Sequence, residues 1–257
     1  MKITALMENT AAREGLLTEH GLSLYIETGD HRILFDAGQS GAFADNAEKL
    51  GVDLAGVDIA LLSHGHYDHG GGFPRFLEIN PTAKFYVNHM AFRPHFNAAG
   101  KPIGLEPSLR ETGRVSFVSE MLEIGPGFTL HPGSETRPPE CSAGLQVLVE
   151  GSLRPDDFSH EQYLLVEEAG KRILISGCSH RGVVNIMERF RPDVFVGGFH
   201  TKGITCPETL ASLARELARF PTVYYTCHCT GGEQYGVMRG SLGDRLHYLG
   251  TGASLRI

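Results

Sequence analysis

The first third of the chain is written in short apolar runs with the two-residue period of extended strands. Residues 3–7 form one such run, and Leu22, Leu24 and Ile26 alternate with polar neighbours, so strands are expected over 3–7 and 22–28. Gly29 and Asp30 mark a hairpin, with 32–36 (Arg-Ile-Leu-Phe-Asp) as its return strand. Phe43, Ala47 and Leu50 then fall at helical spacing within 41–50, and Gly51 ends the pattern. The run 57–63 (Val-Asp-Ile-Ala-Leu-Leu-Ser) reads as a buried strand, 73–78 as a short helix and 83–87 as another strand.

From about 91 to 155 the pattern is broken by Pro94, Pro102, Pro107, Pro126, Pro132, Pro138, Pro139 and Pro155, which favours loops and edge strands over helices. Order returns with strands over 162–167 and 172–176, a helix over 183–190 and a strand over 193–196. Leu210, Leu213, Leu217 and Phe220 share one face of a helix over 208–220, bounded by Pro207 and Pro221. Strands over 223–226, 245–249 and 254–257 complete the chain. Two strand-rich halves, each with helices inserted late, predict two sheets packed face to face with helices outside, in one domain spanning 1–257.

Composition narrows the class. The 257 residues are 41% hydrophobic, which excludes a disordered chain, and the length permits a substantial core. A net charge of −7 argues against a nucleic-acid groove or a polybasic membrane surface. Five cysteines are an odd number for a disulfide framework, and a chain this long does not need one. No apolar run approaches the ~18 residues of a membrane span, and the start does not read as a signal peptide, so a cytoplasmic location is expected. The unusual number is 13 histidines, about twice the ordinary share.

Several of them fall in Ser63-His64-Gly65-His66-Tyr67-Asp68-His69-Gly70-Gly71-Gly72. His64 and His66 are two apart, so a chain leaving a strand points both imidazoles to one side. Asp68 and His69 follow where the chain turns, and the glycines let backbone approach without a Cβ in the way. Imidazole with carboxylate suits Zn²⁺, Fe²⁺ or Mn²⁺ better than Ca²⁺ or Mg²⁺. At this chain's composition the pattern should arise by chance on the order of once per thousand such chains.

This His-x-His-x-Asp-His run after a strand resembles the signature of the metallo-β-lactamase-fold hydrolases. The resemblance implies an α+β fold, a four-layer αββα sandwich of two mixed sheets with helices outside. It also implies a dinuclear centre of two divalent metal ions at the sheet edge, zinc by preference with manganese or iron as alternatives. Asp36, in Leu34-Phe35-Asp36-Ala37-Gly38, matches the strand-ending aspartate that supports the ligand loop. That segment, with Glu8-Asn9-Thr10, Ser176-Gly177-Cys178-Ser179-His180, Val184-Asn185-Ile186, Gly197-Gly198-Phe199-His200 and His228-Cys229-Thr230-Gly231, is similar to the subgroup called 7,8-dihydropterin-6-yl-methyl-4-(β-D-ribofuranosyl)aminobenzene 5′-phosphate synthase.

Carried over by position, His64 and His66 belong to a first metal, Asp68 and His69 to a second, and His228 is the last ligand. The third ligand of the first metal is His160, preferred over His131 because it lies 18 residues before Cys178 rather than 47. Where most of the family has a bridging aspartate this chain has Cys178. Either its thiolate is a ligand, or it lies just outside and His180 reaches the site.

The expected reaction is hydrolysis of a small-molecule ester, lactone, thioester or phosphoester by metal-bound hydroxide, with Asp68, His180 and His200 as catalytic groups. No Gly-x-Ser-x-Gly elbow offers a serine nucleophile. The subgroup resemblance implies instead a condensation of a dihydropterin with an aminobenzene ribofuranosyl phosphate, and iron in the same fold would imply redox chemistry. A third class is a regulatory protein that keeps the site without turnover. For a phosphate-bearing or pterin-like substrate, Arg181 is the best placed cation, with Arg93, Lys101, Arg110, Arg137 and Lys202 as others. His89 and His95 are candidates to line the pocket, while His20, His31 and His247 receive no role. Self-association is left open.

Overall fold

The computed structural model describes residues 1–135 and 144–257; Arg137, Pro138 and Pro139 lie outside them. The chain opens with β1 (Lys2–Met7), the hairpin β2 (Ser23–Glu27) and β3 (Arg32–Phe35), and α1 (Ala42–Lys49). Next come β4 (Ile59–Leu62), the one-turn α2 (Tyr67–Gly70), α3 (Phe73–Ile79) and β5 (Lys84–Asn88). The proline-rich stretch yields β6 (His95–Phe96), the one-turn α4 (Ser108–Glu111), β7 (Val115–Val118), β8 (Leu122–Gly125), β9 (Phe128–Pro132), β10 (Gln146–Val149) and β11 (Ser152–Pro155). The last part holds β12 (Gln162–Glu168), β13 (Lys171–Ile175), α5 (Val183–Phe190), β14 (Val194–Val196), α6 (Pro207–Ala218), β15 (Val223–Thr226), α7 (Gly232–Leu242), β16 (Leu246–Tyr248) and β17 (Ser254–Arg256).

Two seven-stranded sheets result, ordered β17-β1-β2-β3-β4-β5-β7 and β16-β15-β14-β13-β12-β9-β8, with a small sheet β11-β10-β6 beside them. Both large sheets are mixed: β3, β4, β5 and β7 run parallel, as do β13 to β16, while the remaining pairings are antiparallel. Alternation sorts the side chains. Ile33, Phe35, Ile59 and Leu61 meet Leu164, Val166, Ile173 and Ile175 between the sheets. Leu34, Ala60 and Leu62 face outward onto Phe43 of α1 and Phe73 and Phe76 of α3. Leu174 and Phe195 face the other way onto Ile186 of α5, Leu210 of α6 and Met238 of α7. The layers are therefore helix, sheet, sheet, helix, the expected α+β sandwich.

The predicted elements recur with ends shifted by a residue or two, and α7 is an addition. Gly232, Gly236 and Gly240 dilute its apolar stripe, so packing on α6 rather than intrinsic pattern holds it. No helix among the described residues is long and apolar enough to cross a membrane.

Candidate metal centre

The loops that leave β1, β3, β4, β13, β14 and β15 converge at one end of the sandwich. They carry Glu8 and Asn9, Asp36, His64 to His69, Cys178 and His180, His200, and His228 respectively. Parallel strands in both sheets end there, so each hands its next residues to the same place. Asp36, Ser179, His200 and His228 all sit in left-handed backbone, with φ between 50 and 59°. Each costs about 1–2 kcal/mol that packing elsewhere must offset, a pattern of functional loops. Gly72 is required by contact: a Cβ there would overlap the carbonyl oxygens of Ala37 and Ser40.

The structure shows how each imidazole is aimed. Ser63 Oγ donates to Asp36 Oδ2 (2.7 Å), so its lone pair takes the Nδ1 proton of His64 (2.8 Å). His69 Nδ1 donates to Asp36 Oδ2 at 2.6 Å, and His228 Nδ1 donates to Asn9 Oδ1 at 2.8 Å. In all three rings a proton lies outward on Nδ1, so Nε2 is the nitrogen turned to the interior. His69 Nε2 is 3.2 Å from His228 Nε2 and 3.2 Å from Cys178 Sγ, while His228 Nε2 is 3.2 Å from Asp68 Oδ2. The Nε2 atoms of His64 and His66 are buried without a hydrogen-bond partner among the described residues.

Two inward lone pairs at hydrogen-bond distance, beside other orphaned imidazole nitrogens, repel unless a cation or proton lies between them. The donor set therefore fits divalent metal ions. Ligand atoms of His69, Cys178 and His228 lie within 4.8 Å of one another, as do those of His64, Cys178 and His180, and of His20, Asp68 and His228.

The electrostatics suit ligation. Burial, with repulsion from neighbouring imidazoles, pushes His64 and His180 well below the usual histidine range. Burial also lowers His66 well below that range, and His228 to about 4. All four are thus neutral donors at physiological pH. Burial alone would lower His69 too, but the Asp36 and Asp68 carboxylates raise it to about 9, so without a metal its Nε2 carries a proton toward His228 in the place a cation would take. Burial alone would raise Asp68, but the charge of His69, with His228 beside it, holds it well below the usual carboxylate range. Burial, with Cys229 beside it, pushes the Cys178 thiol up, so a thiolate there needs a cation as partner.

The remaining predicted residues sort as follows. His180 stacks on Phe158 (centroids 4.5 Å, 10°), and both its ring nitrogens are buried without a hydrogen-bond partner among the described residues. His200 is 4.2 Å from it at the mouth. His160 sits behind His64 and His66, with ring centroids 5.9 and 5.2 Å away. His131 pairs with Tyr163 in the β9–β12 ladder and packs against Phe190, so strand parity turns it to the helix side.

Two expectations fail. His89 is exposed just past the end of β5, where its Nδ1 lies 3.2 Å from the Val118 carbonyl on the β7 side, and it is not among the residues lining the cavity. Arg181 does not face substrate: it is buried, its guanidinium donates to the Asp157 carbonyl, and its backbone N–H is held by Glu161. Of the other cationic candidates among the described residues, Lys202 lines the cavity, while Arg110 lies over the Phe117 ring.

Sequence reasoning singles out Glu8-Asn9-Thr10 only by resemblance and without a role, and it passes over Glu161. Asn9 orients His228; Glu8 accepts the His228 backbone N–H (2.5 Å) and the Tyr248 hydroxyl (2.7 Å); buried Glu161 accepts the His180 N–H (2.8 Å). His20, 3.4 Å from Asp68 and with its ring tilted 37° to that of His228 at 4.8 Å, also lines the cavity, which measures about 300 Å³. A lone Asn or Glu just past a strand carries no spacing signal.

Comparison with known proteins agrees with this geometry. A sequence model described as the metallo-beta-lactamase superfamily matches residues 18–219. An uncharacterized protein of Methanocaldococcus jannaschii is 30% identical over 213 residues, covering 79% of this chain and 80% of its own. The 7,8-dihydropterin-6-methyl-4-(beta-D-ribofuranosyl)-aminobenzene-5′-phosphate synthase of the same organism is 29% identical over 265 residues, covering 90% and 88%. A crystal structure described as a metal-dependent hydrolase of the beta-lactamase superfamily superposes with a TM-score of 0.84 at 27% identity, over 100% of this chain and 99% of that one.

Proposed function

The chain belongs to the metallo-β-lactamase superfamily, and from that membership we propose that it is a metal-dependent hydrolase of small-molecule esters, lactones, thioesters or phosphoesters. The observation that carries this reading is the set of inward Nε2 atoms of His64, His69 and His228, each fixed by an outward Nδ1 hydrogen bond. His64 and His66, with one imidazole from the His95–His160 pair, would hold a first divalent ion. Asp68, His69 and His228 would hold a second, and Cys178 lies within reach of His64 and of His69. The chemistry two such ions supply is activation of water near neutral pH and polarisation of a carbonyl or phosphoryl oxygen.

The chain's own groups supply the rest. Asp68, held ionised, can accept a hydrogen bond at Oδ2 and so orient a water in the cavity. His180, neutral and stacked on Phe158, faces the cavity with His200 beside it, so the pair is placed to pass a proton to a leaving group. Lys202 offers the cavity one positive charge for a phosphate. A volume of about 300 Å³ fits a small molecule.

A second reading has its own support, because the relative with 90% coverage of this chain is named as a synthase. Under it the same cavity would bind a dihydropterin and an aminobenzene ribofuranosyl phosphate for condensation. The test is one panel: metal-loaded protein with phosphoesters, lactones, thioesters and the two condensation substrates, products read by mass spectrometry. Turnover of a hydrolytic substrate, lost with His66→Ala, supports the first reading. Condensation without hydrolysis replaces it with the second.

A further inference from the structure

We propose that His95, held by Asp156, is a metal ligand of the first half of the centre, in the position that chain order gives to His160. The inference rests on the metal-dependent reading above and names a ligand that the His-x-His-x-Asp-His pattern does not contain. His95 begins β6, whose pairing with β10 in the small third sheet brings a loop residue into the interior. It is 1% exposed, and its ring is 5.5 Å from His66 and 4.1 Å from His160.

Its hydrogen bonding follows that of the other inward-facing rings. His95 Nδ1 donates to Asp156 Oδ2 at 2.8 Å, as His69 does to Asp36. Asp156 is itself fixed, because its Oδ1 accepts the Phe158 N–H at 2.8 Å and the residue is 3% exposed. His95 Nε2 is therefore a lone pair aimed inward, buried and without a hydrogen-bond partner among the described residues. An acceptor left so costs about 1–3 kcal/mol, and a carboxylate–imidazole pair of this kind is the usual support of a metal-bound histidine.

His160 is wired the opposite way. The Gly65 N–H donates to its Nδ1 at 2.9 Å, so the neutral ring carries its proton on Nε2. That nitrogen lies 3.3 Å from Asp156 Oδ2 but, like His95 Nε2, is buried without a hydrogen-bond partner among the described residues, so the two rings differ in which nitrogen is free to ligate. Its lone pair is spent on the backbone of the ligand loop, and its proton faces the carboxylate that holds His95. A ligand atom from each of His66, His95, Asp156 and His160 lies within 4.8 Å of the others. Contraction to the roughly 3.4 Å ligand separations of a tetrahedral zinc site needs only side-chain adjustment.

The test is cobalt binding by the full chain, read as ions per chain under chelator competition and as the visible absorption of bound Co²⁺. His95→Ala should weaken one of two ions by about 100-fold and change the cobalt bands, and Asp156→Asn should weaken it about 10- to 100-fold. His160→Gln should keep affinity within about threefold. His95→Gln, which retains a side-chain polar group near Asp156, guards against a folding defect and should show the same metal loss with native circular dichroism. Wild-type affinity and spectrum in both His95 variants, with loss in His66→Ala, would overturn the role of His95 and leave the metal centre standing. A wild-type chain that binds no divalent ion would overturn both.

Discussion

Asp36→Asn is the substitution that isolates the support of the metal centre from everything else. Asp36 is fully buried and sits at φ 59°, a conformation asparagine adopts as readily as aspartate, so volume and backbone are both conserved. Three donors converge on its carboxylate: the Ser63 N–H (2.7 Å) on Oδ1, and the Ser63 hydroxyl (2.7 Å) and His69 Nδ1 (2.6 Å) on Oδ2. A carboxamide has one acceptor oxygen. In its better orientation it keeps the two donors on Oδ2 and sets its NH₂ against the Ser63 N–H. One buried donor is then unpaired, at about 1–3 kcal/mol, and the two remaining bonds lose their charge assistance. The metal-free protein should lose about 2–4 kcal/mol in urea denaturation. Because His69 Nδ1 then donates to a neutral carbonyl instead of a carboxylate, its ring is held less firmly and Nε2 is less basic, so metal affinity should also fall about 10- to 100-fold in chelator competition. An unchanged midpoint together with unchanged affinity would refute the claim that Asp36 aims His69.

Other perturbations test separate links. His66→Ala should remove metal and turnover while circular dichroism stays native, because its Nε2 has no hydrogen-bond partner among the described residues to lose. Cys178→Ala should lower metal occupancy and abolish any sulfur-to-cobalt charge-transfer band; unchanged occupancy and spectrum would place the thiol outside the ligand set. Asn9→Ala should weaken binding at the His228 side by about 10-fold, measured by competition, since His228 Nδ1 loses its acceptor and His20 Nδ1 loses a 3.5 Å contact with the Asn9 amide. Gly72→Ala should destabilise the fold by more than about 1 kcal/mol in denaturant, because its Cβ would meet two carbonyl oxygens.

The sandwich was legible because apolar strand runs at 32–36 and 57–63 are followed by further strands over 162–176, and the two faces of each run pack on different layers. The spacing of His64, His66, Asp68 and His69 exposed half of the centre for a related reason: local geometry turns sequence spacing into direction. What stayed hidden is long-range. Asn9 meets His228 across 219 residues and His95 meets Asp156 across 61, and no local period encodes such pairs. Arg181 misled because its position after His180 suggested the pocket, whereas the turn held by Glu161 sends its side chain to Asp157. His89 misled because its Nδ1 lies against the Val118 carbonyl on the β7 side, outside the cavity lining.

The central claim is that these histidines, Asp68 and Cys178 form one metal centre. The direct measurement is the metal content of purified protein after exposure to zinc, by inductively coupled plasma mass spectrometry, with His64→Ala and His228→Ala beside it. The account predicts about two divalent ions per wild-type chain and the loss of one in each variant. A wild-type chain that emerges metal-free, or variants that keep the full content, would contradict it.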